Sequence, residues 1–410
     1  MELEQIFNID YKDRLLRMKD ILVKAPHEIC VERAVLFTES YKDTKGENSI
    51  IRFAKAMEHY LTNMTIRIWD DEYVVGNRCK KYVGTPMYPE ARIDTIEQDV
   101  DNYDTRPVQK LMLTEEERQL IKNDIIPYWK NEEETVQERF QSYLDSDLRE
   151  IMEKLVFIVD VELSSGIGHF FPGHENVLNH GIDGLIQKAT NSLKKVVNNE
   201  NKEIFLESVI IVLKAAKQFI LRFSNLAKEM GEIEVNYERK RELYEISDIC
   251  ANISGNSPKN FKEALQLIYF IHLICGLEDG GFAISIGRLD QYLYPYYVKD
   301  KNEGVVSDEL IQFLIECFFI KISTLWNYVI SKGVVASEGP PIANNIVIGG
   351  LDSSGDDATN ELSLIILKAY THIRTVQPTF CIRVHKDTKE DFLKKIGESI
   401  KKGASIALLN

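Results

Sequence analysis

The sequence predicts a helix-rich α/β protein, and two observations support this prediction. Residues 1–340 carry apolar side chains mostly at helical spacing, with a few short strand-like pieces between the helices. Residues 341–410 show strand, helix, strand, helix and strand patterns in turn, the order expected of parallel strands joined by crossover helices. Since the sequence has no internal repeat, low-complexity tract or obvious flexible linker, we expect one domain built from these two portions.

The first portion is predicted to be mostly helical, with short strands. The segment 68–90 is interrupted by glycines and prolines and predicts turns and short strands. Residues 155–163 predict a strand or a buried helix, ahead of a glycine-rich turn. A long helical hairpin is predicted over 184–254, with its break at 198–201. Apolar residues at i, i+3 and i+4 predict further helices over 11–25, 29–41, 48–61, 114–130, 133–154, 260–277 and 308–329.

The second portion is predicted to be a βαβαβ unit. Asp356 and Asp357 predict the start of its first helix. Thr388 begins a capping signal for the second helix, whose apolar face includes Ile396 and Ile400. Runs of apolar and β-branched residues predict strands at 344–350, 379–384 and 405–409.

The last predicted strand lacks a partner on one side. Natural domains rarely end on an apolar strand that is left open as an edge, and parallel strands need further strands beside them. We therefore expect the chain to be the first part of something larger.

Composition and charge exclude several classes of function. The formal charge is −14, from 50 basic and 64 acidic residues, which argues against nucleic-acid binding because phosphate contacts need clustered Lys and Arg. No apolar stretch is long enough to span a bilayer, and the N-terminus lacks the features of a signal peptide. The six cysteines lie far apart without a CxxC pair, which favours buried packing residues over disulfides or metal ligands. These features predict a soluble, acidic, cytoplasmic protein.

Two motifs suggest cofactors but are weak. Gly166 and Gly168 follow an apolar run, as in dinucleotide-binding proteins, but Phe171 stands where that motif needs its third glycine. His174 and His180 suggest zinc, but residues six apart on a helix face different sides and do not converge. We therefore predict a structural or solvated role for both histidines, and no metal site.

The segment 278–297 is more informative because it combines glycines, charges and aromatic residues. Its glycines allow close approach of the backbone to another group, and Arg288 with Asp290 can lock a bend through a charge-assisted pair. A buried ion pair beside an aromatic packing cluster explains the same residues, and by itself the segment favours that simpler interpretation.

Further blocks extend along almost the whole chain and make a resemblance specific. The segment 287–295 belongs to a series that, in order, also includes residues 32–41, 70–77, 84–90, 168–169, 348–350, 357–362 and 377–378. Together these blocks resemble the glycyl radical enzymes of the pyruvate formate-lyase-like family.

The resemblance implies a fold and a chemistry. The family folds as a ten-stranded β/α barrel, made of two halves of five parallel strands and wrapped by helices. On this basis residues 1–410 form the N-terminal portion of that domain, and residues 341–410 belong to the first half-barrel. The resemblance also implies a homodimer at full length and a glycyl radical that a radical SAM activating enzyme installs under anaerobic conditions. That radical generates a thiyl radical on a cysteine, which abstracts hydrogen from a small-molecule substrate inside a dry barrel.

The chain departs from the family pattern in its catalytic residues. None of the six cysteines stands in the loop where the family has its thiyl cysteine, and the radical glycine is also missing. We expect no catalytic residue in this chain and no activity from it alone, whether it is a truncated product, one part of a split enzyme or a piece of a full enzyme. A non-catalytic remnant of the fold that binds a metabolite or a partner is the alternative.

Substrate-binding residues can still be proposed from the resemblance. His169 resembles a pocket histidine of family dehydratases, and a buried structural histidine is the alternative. Phe282 and Ala283 replace a histidine and a serine that grip hydroxyls in glycerol-type dehydratases, which argues against a polyol substrate. Phe170 beside His169 suggests a partly aromatic wall, suited to an aryl acid or to a small substrate held elsewhere by its polar end. Gln377 is a further lining candidate, although setting the turn before Pro378 is its simpler role.

Overall fold

A computed structural model describes residues 11–153, 168–281, 283–327 and 343–409 of the chain. Helices separated by short parallel strands make up these residues, which confirms the predicted helix-rich α/β class. The predicted strand or helix at 155–163 lies outside the described residues.

The helices are numbered along the chain. In the first half they are α1 (Tyr11–Lys24), α2 (Glu32–Asp43), α3 (Ser49–Asn63), α4 (Pro89–Asp99), α5 (Glu115–Leu120), α6 (Ile126–Asn131, joined to α5 by the π-turn Ile121–Ile125), α7 (Val136–Ser142), α8 (Ser146–Glu153) and α9 (His174–Leu193). They continue as α10 (Glu200–Ile233), α11 (Tyr237–Ile253), α12 (Phe261–Asp279), α13 (Leu289–Tyr292), α14 (Tyr294–Asn302), α15 (Asp308–Ser323), α16 (Glu361–Ile373) and α17 (Glu390–Lys401).

The strands form three sheets within the described residues, and all their pairs are parallel. One sheet pairs β1 (His27–Cys30) with β2 (Val83–Pro86), and a second pairs β3 (His169–Phe170) with β4 (Ala283–Ile284). The third has the order β5 (Gly287–Arg288), β6 (Asn345–Gly349), β7 (Thr379–Arg383) and β8 (Ile406–Leu409).

The core is built around two helices that are apolar on nearly every side. Most residues of α12 and α15 are buried, as expected of helices without a polar face. Around them α10 packs against α3 and α11, and the rings of Phe219, Phe223 and Phe270 meet with centroids 5.2 to 6.0 Å apart. Helix α12 is important for the site because its C-terminal end leads from this core into β4.

The C-terminal sheet matches the predicted βαβαβ unit and adds one strand to it. All three predicted strands form, and β5, which the sequence did not predict as a strand, pairs with β6 through Gly287 and Arg288. The last strand, β8, pairs with β7, and the side chains of Leu408 and Leu409 are 53% and 43% exposed. The apolar edge expected from the sequence is therefore present.

Several helix boundaries in the first portion were predicted wrongly, among them the end of the helix predicted over 308–329, which lies at Ser323. Ile29 lies in β1 rather than in a helix, and α2 begins at Glu32. The segment 133–154 forms two short helices instead of one. The segment 184–254 belongs to three helices rather than a hairpin, because Asn236 caps a new helix by accepting a hydrogen bond from the N–H of Arg239.

In the second portion the start of the first helix and the cap of the second were also predicted wrongly, although α17 does begin within the predicted segment, at Glu390. Helix α16 is capped by Asn360 in a capping box with Ser363, and it does not begin at Asp356 and Asp357. Thr388 does not cap α17, because its hydroxyl accepts a hydrogen bond from the N–H of His385 instead. Ile400 is 45% exposed, so it lies outside the buried face of α17.

No helix among the described residues has the length and apolar character needed to cross a membrane.

Candidate functional site

A short parallel pair of strands brings two predicted pocket residues together. His169 pairs with Ala283, and Phe170 pairs with Ile284. Residues paired in adjacent strands project to the same face, so the imidazole and the Ala283 methyl group share one face. His169 is exposed, Phe170 is half-buried and Ala283 is buried, so the buried structural histidine considered for His169 is not what the structure shows. Phe282 lies outside the described residues.

An acidic residue that the sequence reasoning missed lies beside His169. Asp279 is the last residue of α12, and its Oδ1 accepts a hydrogen bond of 3.0 Å from the N–H of Gly168. Its other oxygen, Oδ2, is buried and has no hydrogen-bond partner among the described residues. Burial raises the pKa of Asp279 from its ordinary value of 3.8 to about 6, and the nearby charge of Glu278 adds to the rise, while the Gly168 N–H and His169 oppose it. Asp279 therefore offers an unused acceptor oxygen and titrates close to neutral pH.

Glycines make the turn between α12 and β4 tight enough to hold Asp279 in place. Gly281 has a φ of +61°, and a Cβ there would lie 3.1 Å from Gly276 Cα. The guanidinium of Arg78 packs against this turn and donates to Asn327 Oδ1 at 2.9 Å and to the Tyr88 hydroxyl at 3.0 Å. The glycines of this segment thus allow the close approach to the backbone that the sequence predicted, and the group that approaches is the Arg78 guanidinium.

A second polar cluster lies just beyond β4. The N–H of Ile286 donates to the carbonyl of Asn345, so the chain leaving β4 runs directly to the start of β6. There His272 Nε2 lies 2.9 Å from Asn344 Oδ1, while His272 Nδ1 and Asn344 Nδ2 are buried and have no partner in the part of the chain that the structure describes. Burial lowers the pKa of His272 to about 4, so this ring is neutral at physiological pH.

Gln377 belongs to this second cluster as a positioning residue. It is buried, and its Oε1 accepts a hydrogen bond of 3.1 Å from the N–H of Asn344. Its own carbonyl accepts a 2.6 Å hydrogen bond from the Ser323 hydroxyl, and its peptide bond to Pro378 is cis. These contacts join α15 and the starts of β6 and β7, which matches the simpler turn-setting role.

Arg288 and Asp290 anchor the end of β6, and no ion pair joins them directly among the described contacts. Arg288 donates to the carbonyls of Gly349 and Leu351, each at 2.8 Å. Asp290 is fully buried, and its Oδ2 accepts from the Gly349 N–H at 2.9 Å and from the Ser363 hydroxyl at 2.6 Å. The predicted lock between the two side chains is therefore wrong, because each of them satisfies backbone groups of the β6 end instead.

An aromatic group flanks the site. The ring of Phe171 lies 6.0 Å from that of Tyr292 and 5.8 Å edge-on from that of His174. His174 is fully buried, and burial lowers its pKa to about 3, with a smaller contribution from His272. Because the His174 imidazole is buried and neutral, His174 has the structural role and not the solvated role, the two that the sequence left open. The described residues hold no group of three or more His, Cys, Asp or Glu side chains able to bind a metal ion.

The sequence contained signals for these missed residues, but only in retrospect. Asp279 ends an apolar helix directly before two glycines, and Asn344 directly precedes an apolar strand. Both positions are ordinary cap and turn positions in other proteins, so the residue types alone do not identify a site.

The comparisons with known proteins agree along the chain. Residues 10–410 match the family model described as "Pyruvate formate lyase-like". A probable dehydratase, YbiW, of Escherichia coli strain K12 is 32% identical over 97% of this chain and 50% of that protein. The glycerol-bound B12-independent glycerol dehydratase of Clostridium butyricum superposes with a TM-score of 0.91 at 34% identity, over 95% of this chain and 50% of that one.

A glycyl radical enzyme of Archaeoglobus fulgidus superposes equally well, with a TM-score of 0.91 at 32% identity over 97% of this chain and 51% of that one. The chain thus spans about half the length of the relatives that it matches.

Proposed function

Because this chain belongs to the pyruvate formate lyase-like family of glycyl radical enzymes, we propose that it is the N-terminal part of a lyase, dehydratase or decarboxylase for a small organic metabolite. The complete enzyme abstracts a hydrogen atom from its substrate with a thiyl radical. A radical SAM activating enzyme installs the glycyl radical, and the assembled protein is a cytoplasmic homodimer. The half-length match to relatives of this kind supports the proposal.

The role of this chain in that enzyme is to form one wall of the substrate pocket. The observation that carries this role is the β3–β4 pair, which aligns His169 with Ala283, together with Asp279, whose Oδ1 accepts a hydrogen bond from the N–H of Gly168 directly before His169. In this wall His169 and Asp279 hold the polar end of the substrate, and Ala283 forms the apolar part on the same face as His169. Phe170, the next residue of β3, projects to the opposite face with Ile284. Gln377 supports the wall from behind through Asn344, and Arg288 and Asp290 hold the neighbouring strand end.

This division of roles narrows the substrate class. When Asp279 is ionised, its Oδ2 accepts hydrogen bonds and cannot donate one. Its partner on the substrate therefore has to be a donor, such as a hydroxyl or an amine. Ala283 has no hydrogen-bonding group, so a polyol would leave a hydroxyl unpaired against it. A substrate with one donor group beside an apolar or aryl portion fits both conditions.

The radical chemistry itself is supplied from outside this sequence. Five of the six cysteines are buried, and Cys275 is partly buried. Burial, with help from two neighbouring carboxylates, raises the pKa of the Cys275 thiol to about 12. None of these cysteines stands in the loop where the family resemblance places the thiyl cysteine. We therefore assign the thiyl cysteine and the radical glycine to the part of the relatives that this chain does not match.

The test is electron paramagnetic resonance after anaerobic activation by a radical SAM activating enzyme. The 410-residue chain alone is expected to show no glycyl signal, whereas the chain joined to the C-terminal half of a matching relative is expected to show one. A glycyl doublet from this chain alone would contradict the assignment of the radical residues. Absence of a signal and of turnover from every joined form would favour the non-catalytic remnant.

A further inference from the structure

A cavity of about 390 Å³ lies where helices α1, α11, α12 and α15 meet. None of the residues named for the candidate site lines it. Helix α11 contributes residues spaced i, i+3, i+4, i+7 and i+10, which fall on one face of a helix: Glu238, Arg241, Glu242, Glu245 and Asp248. Pockets that bind small molecules span roughly 300 to 1,000 Å³, so this cavity can hold an organic ligand.

The inner wall of the cavity is aromatic. Tyr11 of α1 and Phe313 of α15 stack there, with ring centroids 4.3 Å apart and ring planes at 21° to each other. Phe313 is 2% exposed, and the lining residues Leu310 and Tyr73 are also buried. Aromatic rings prefer stacked or edge-to-face neighbours, so this wall suits the flat ring of a ligand.

The hydroxyl group of Tyr11 is an unpaired polar group in this wall. It is buried and has no hydrogen-bond partner within the described ranges of the chain. Burial, with a smaller contribution from the charge of Glu242, raises the pKa of Tyr11 from 10.0 to about 12, so the hydroxyl keeps its proton and can both donate and accept. A buried hydroxyl without a partner is unfavourable, and a polar atom of a ligand can supply the partner.

The outer edge of the cavity is charged. Glu242 is already paired with Arg14 at 2.6 Å, and Glu245 is paired with Lys262 at 2.5 Å. Three other lining residues are exposed and have no ion-pair partner in the part of the chain that the structure describes: Glu238, Arg241 and Asp248. Because these three include both signs of charge, the edge offers an acceptor for an ammonium group and a donor for a carboxylate group.

We propose that this cavity binds an α-amino acid whose side chain is a phenol, as in L-tyrosine. The ligand carboxylate accepts hydrogen bonds from Arg241, and its ammonium group donates to Glu238, one helical turn away, while Asp248 adds to the negative charge. The ring packs against Tyr11 and Phe313, and the phenol pairs with the buried Tyr11 hydroxyl. Since these residues differ from those of the candidate site, this binding does not depend on the proposed function.

The test is isothermal titration calorimetry of the purified 410-residue chain with L-tyrosine and with three analogues that each lack one group. L-tyrosine is expected to bind with a Kd below about 1 mM. L-phenylalanine lacks the phenol hydroxyl and is expected to bind about fivefold more weakly. Tyramine lacks the carboxylate, and 3-(4-hydroxyphenyl)propionate lacks the ammonium group. Each is expected to bind at least about tenfold more weakly, because it loses hydrogen bonds to a charged side chain.

Two variants test the assigned contacts. Tyr11→Phe removes only the hydroxyl, so it should lose the preference for L-tyrosine over L-phenylalanine without lowering the Tm of the free chain. Tyr143→Phe is its control, because Tyr143 is 79% exposed and does not line the cavity. Arg241→Ala should weaken the binding of L-tyrosine about tenfold and leave that of tyramine unchanged. Arg139→Ala, at an exposed arginine outside the cavity, should change neither.

Three results overturn the proposal. The first is a Kd for L-tyrosine above about 1 mM. The second is equal affinity for L-tyrosine and all three analogues. The third is binding of L-tyrosine that Tyr11→Phe and Arg241→Ala both leave unchanged, which places the ligand elsewhere on the chain. If a variant fails to fold, the comparison of the four ligands on the unsubstituted chain still decides.

Discussion

Substitution of Asp279 by asparagine is expected to stabilise the protein at neutral pH. Folding raises the pKa of the Asp279 carboxyl group from 3.8 to about 6, chiefly because the group becomes buried. Folding therefore destabilises the charged form relative to the neutral form. A rise of about two units corresponds to roughly 3 kcal/mol for a fully desolvated group. Because Asp279 is partly exposed, we halve this value to about 1.5 kcal/mol for solvent screening.

The sign of the pH dependence follows from the direction of the pKa shift. The pKa of Asp279 is higher in the folded state than in the unfolded chain. The stability that protonated Asp279 contributes is therefore complete below about pH 4 and is lost as the pH rises through about 6. Asparagine stays neutral throughout, and its amide oxygen retains the acceptor for the Gly168 N–H. The gain of Asp279→Asn should therefore be about 1.5 kcal/mol at pH 7.5 and within about 0.5 kcal/mol of zero at pH 4.0.

Urea unfolding followed by circular dichroism at both pH values measures this difference, with equal m-values as the criterion for a simple comparison. Asp20→Asn is the control, because Asp20 is an exposed carboxylate paired with Lys24 and should change the free energy of unfolding by less than about 0.5 kcal/mol. A stabilisation of Asp279→Asn that is the same at both pH values, or a loss of stability at pH 7.5, would refute the reasoning.

Two further predictions concern the supports of the site. Gly281→Ala is expected to cost about 3 kcal/mol in urea unfolding, because its φ is +61° and a Cβ would meet packed backbone. Gly355→Ala, with a φ of +87° but nothing within 4 Å, should cost only about 1 kcal/mol, and equal losses would contradict the role of packing. Arg33 donates to the carbonyl of Leu277, two residues before Asp279 in α12. Arg33→Met is expected to cost about 3 to 5 kcal/mol because it leaves the carboxylate of Glu90, 2.7 Å from the guanidinium, buried without its partner. Arg139→Met removes an exposed pair and should cost less than about 1 kcal/mol; a similar loss in both arginine variants would show that burial does not set the difference.

Much of the architecture was predictable because it depends on local periodicity. The apolar runs at 344–350, 379–384 and 405–409 predicted β6, β7 and β8, and apolar helical spacing predicted α12 and α15. Helix starts were less predictable, since Asp, Asn and Thr side chains compete for the same cap positions. Asn360 and Asn236 cap their helices, whereas Thr388 forms a different hydrogen bond.

The candidate site was predictable only in part. His169 and Ala283 followed from the family resemblance, and the structure pairs them in adjacent strands. The expected contact between Arg288 and Asp290 was wrong. Both side chains hydrogen-bond to the backbone of Gly349 on the neighbouring strand instead of to each other. Asp279 was missed because its importance depends on an unpaired oxygen that only the folded chain reveals.

Periodicity, composition and motif order were enough to predict the fold class, the acidic and helix-rich character of the chain and its family resemblance. Which distant residues meet could be seen only in the folded chain: Asp279 with Gly168, and Gln377 with Asn344. The physical reason is that hydrogen-bond partners, burial and pKa shifts depend on what the folded chain places around a group. That environment is built from segments far apart in the sequence, and the periodicity of any one segment does not contain it.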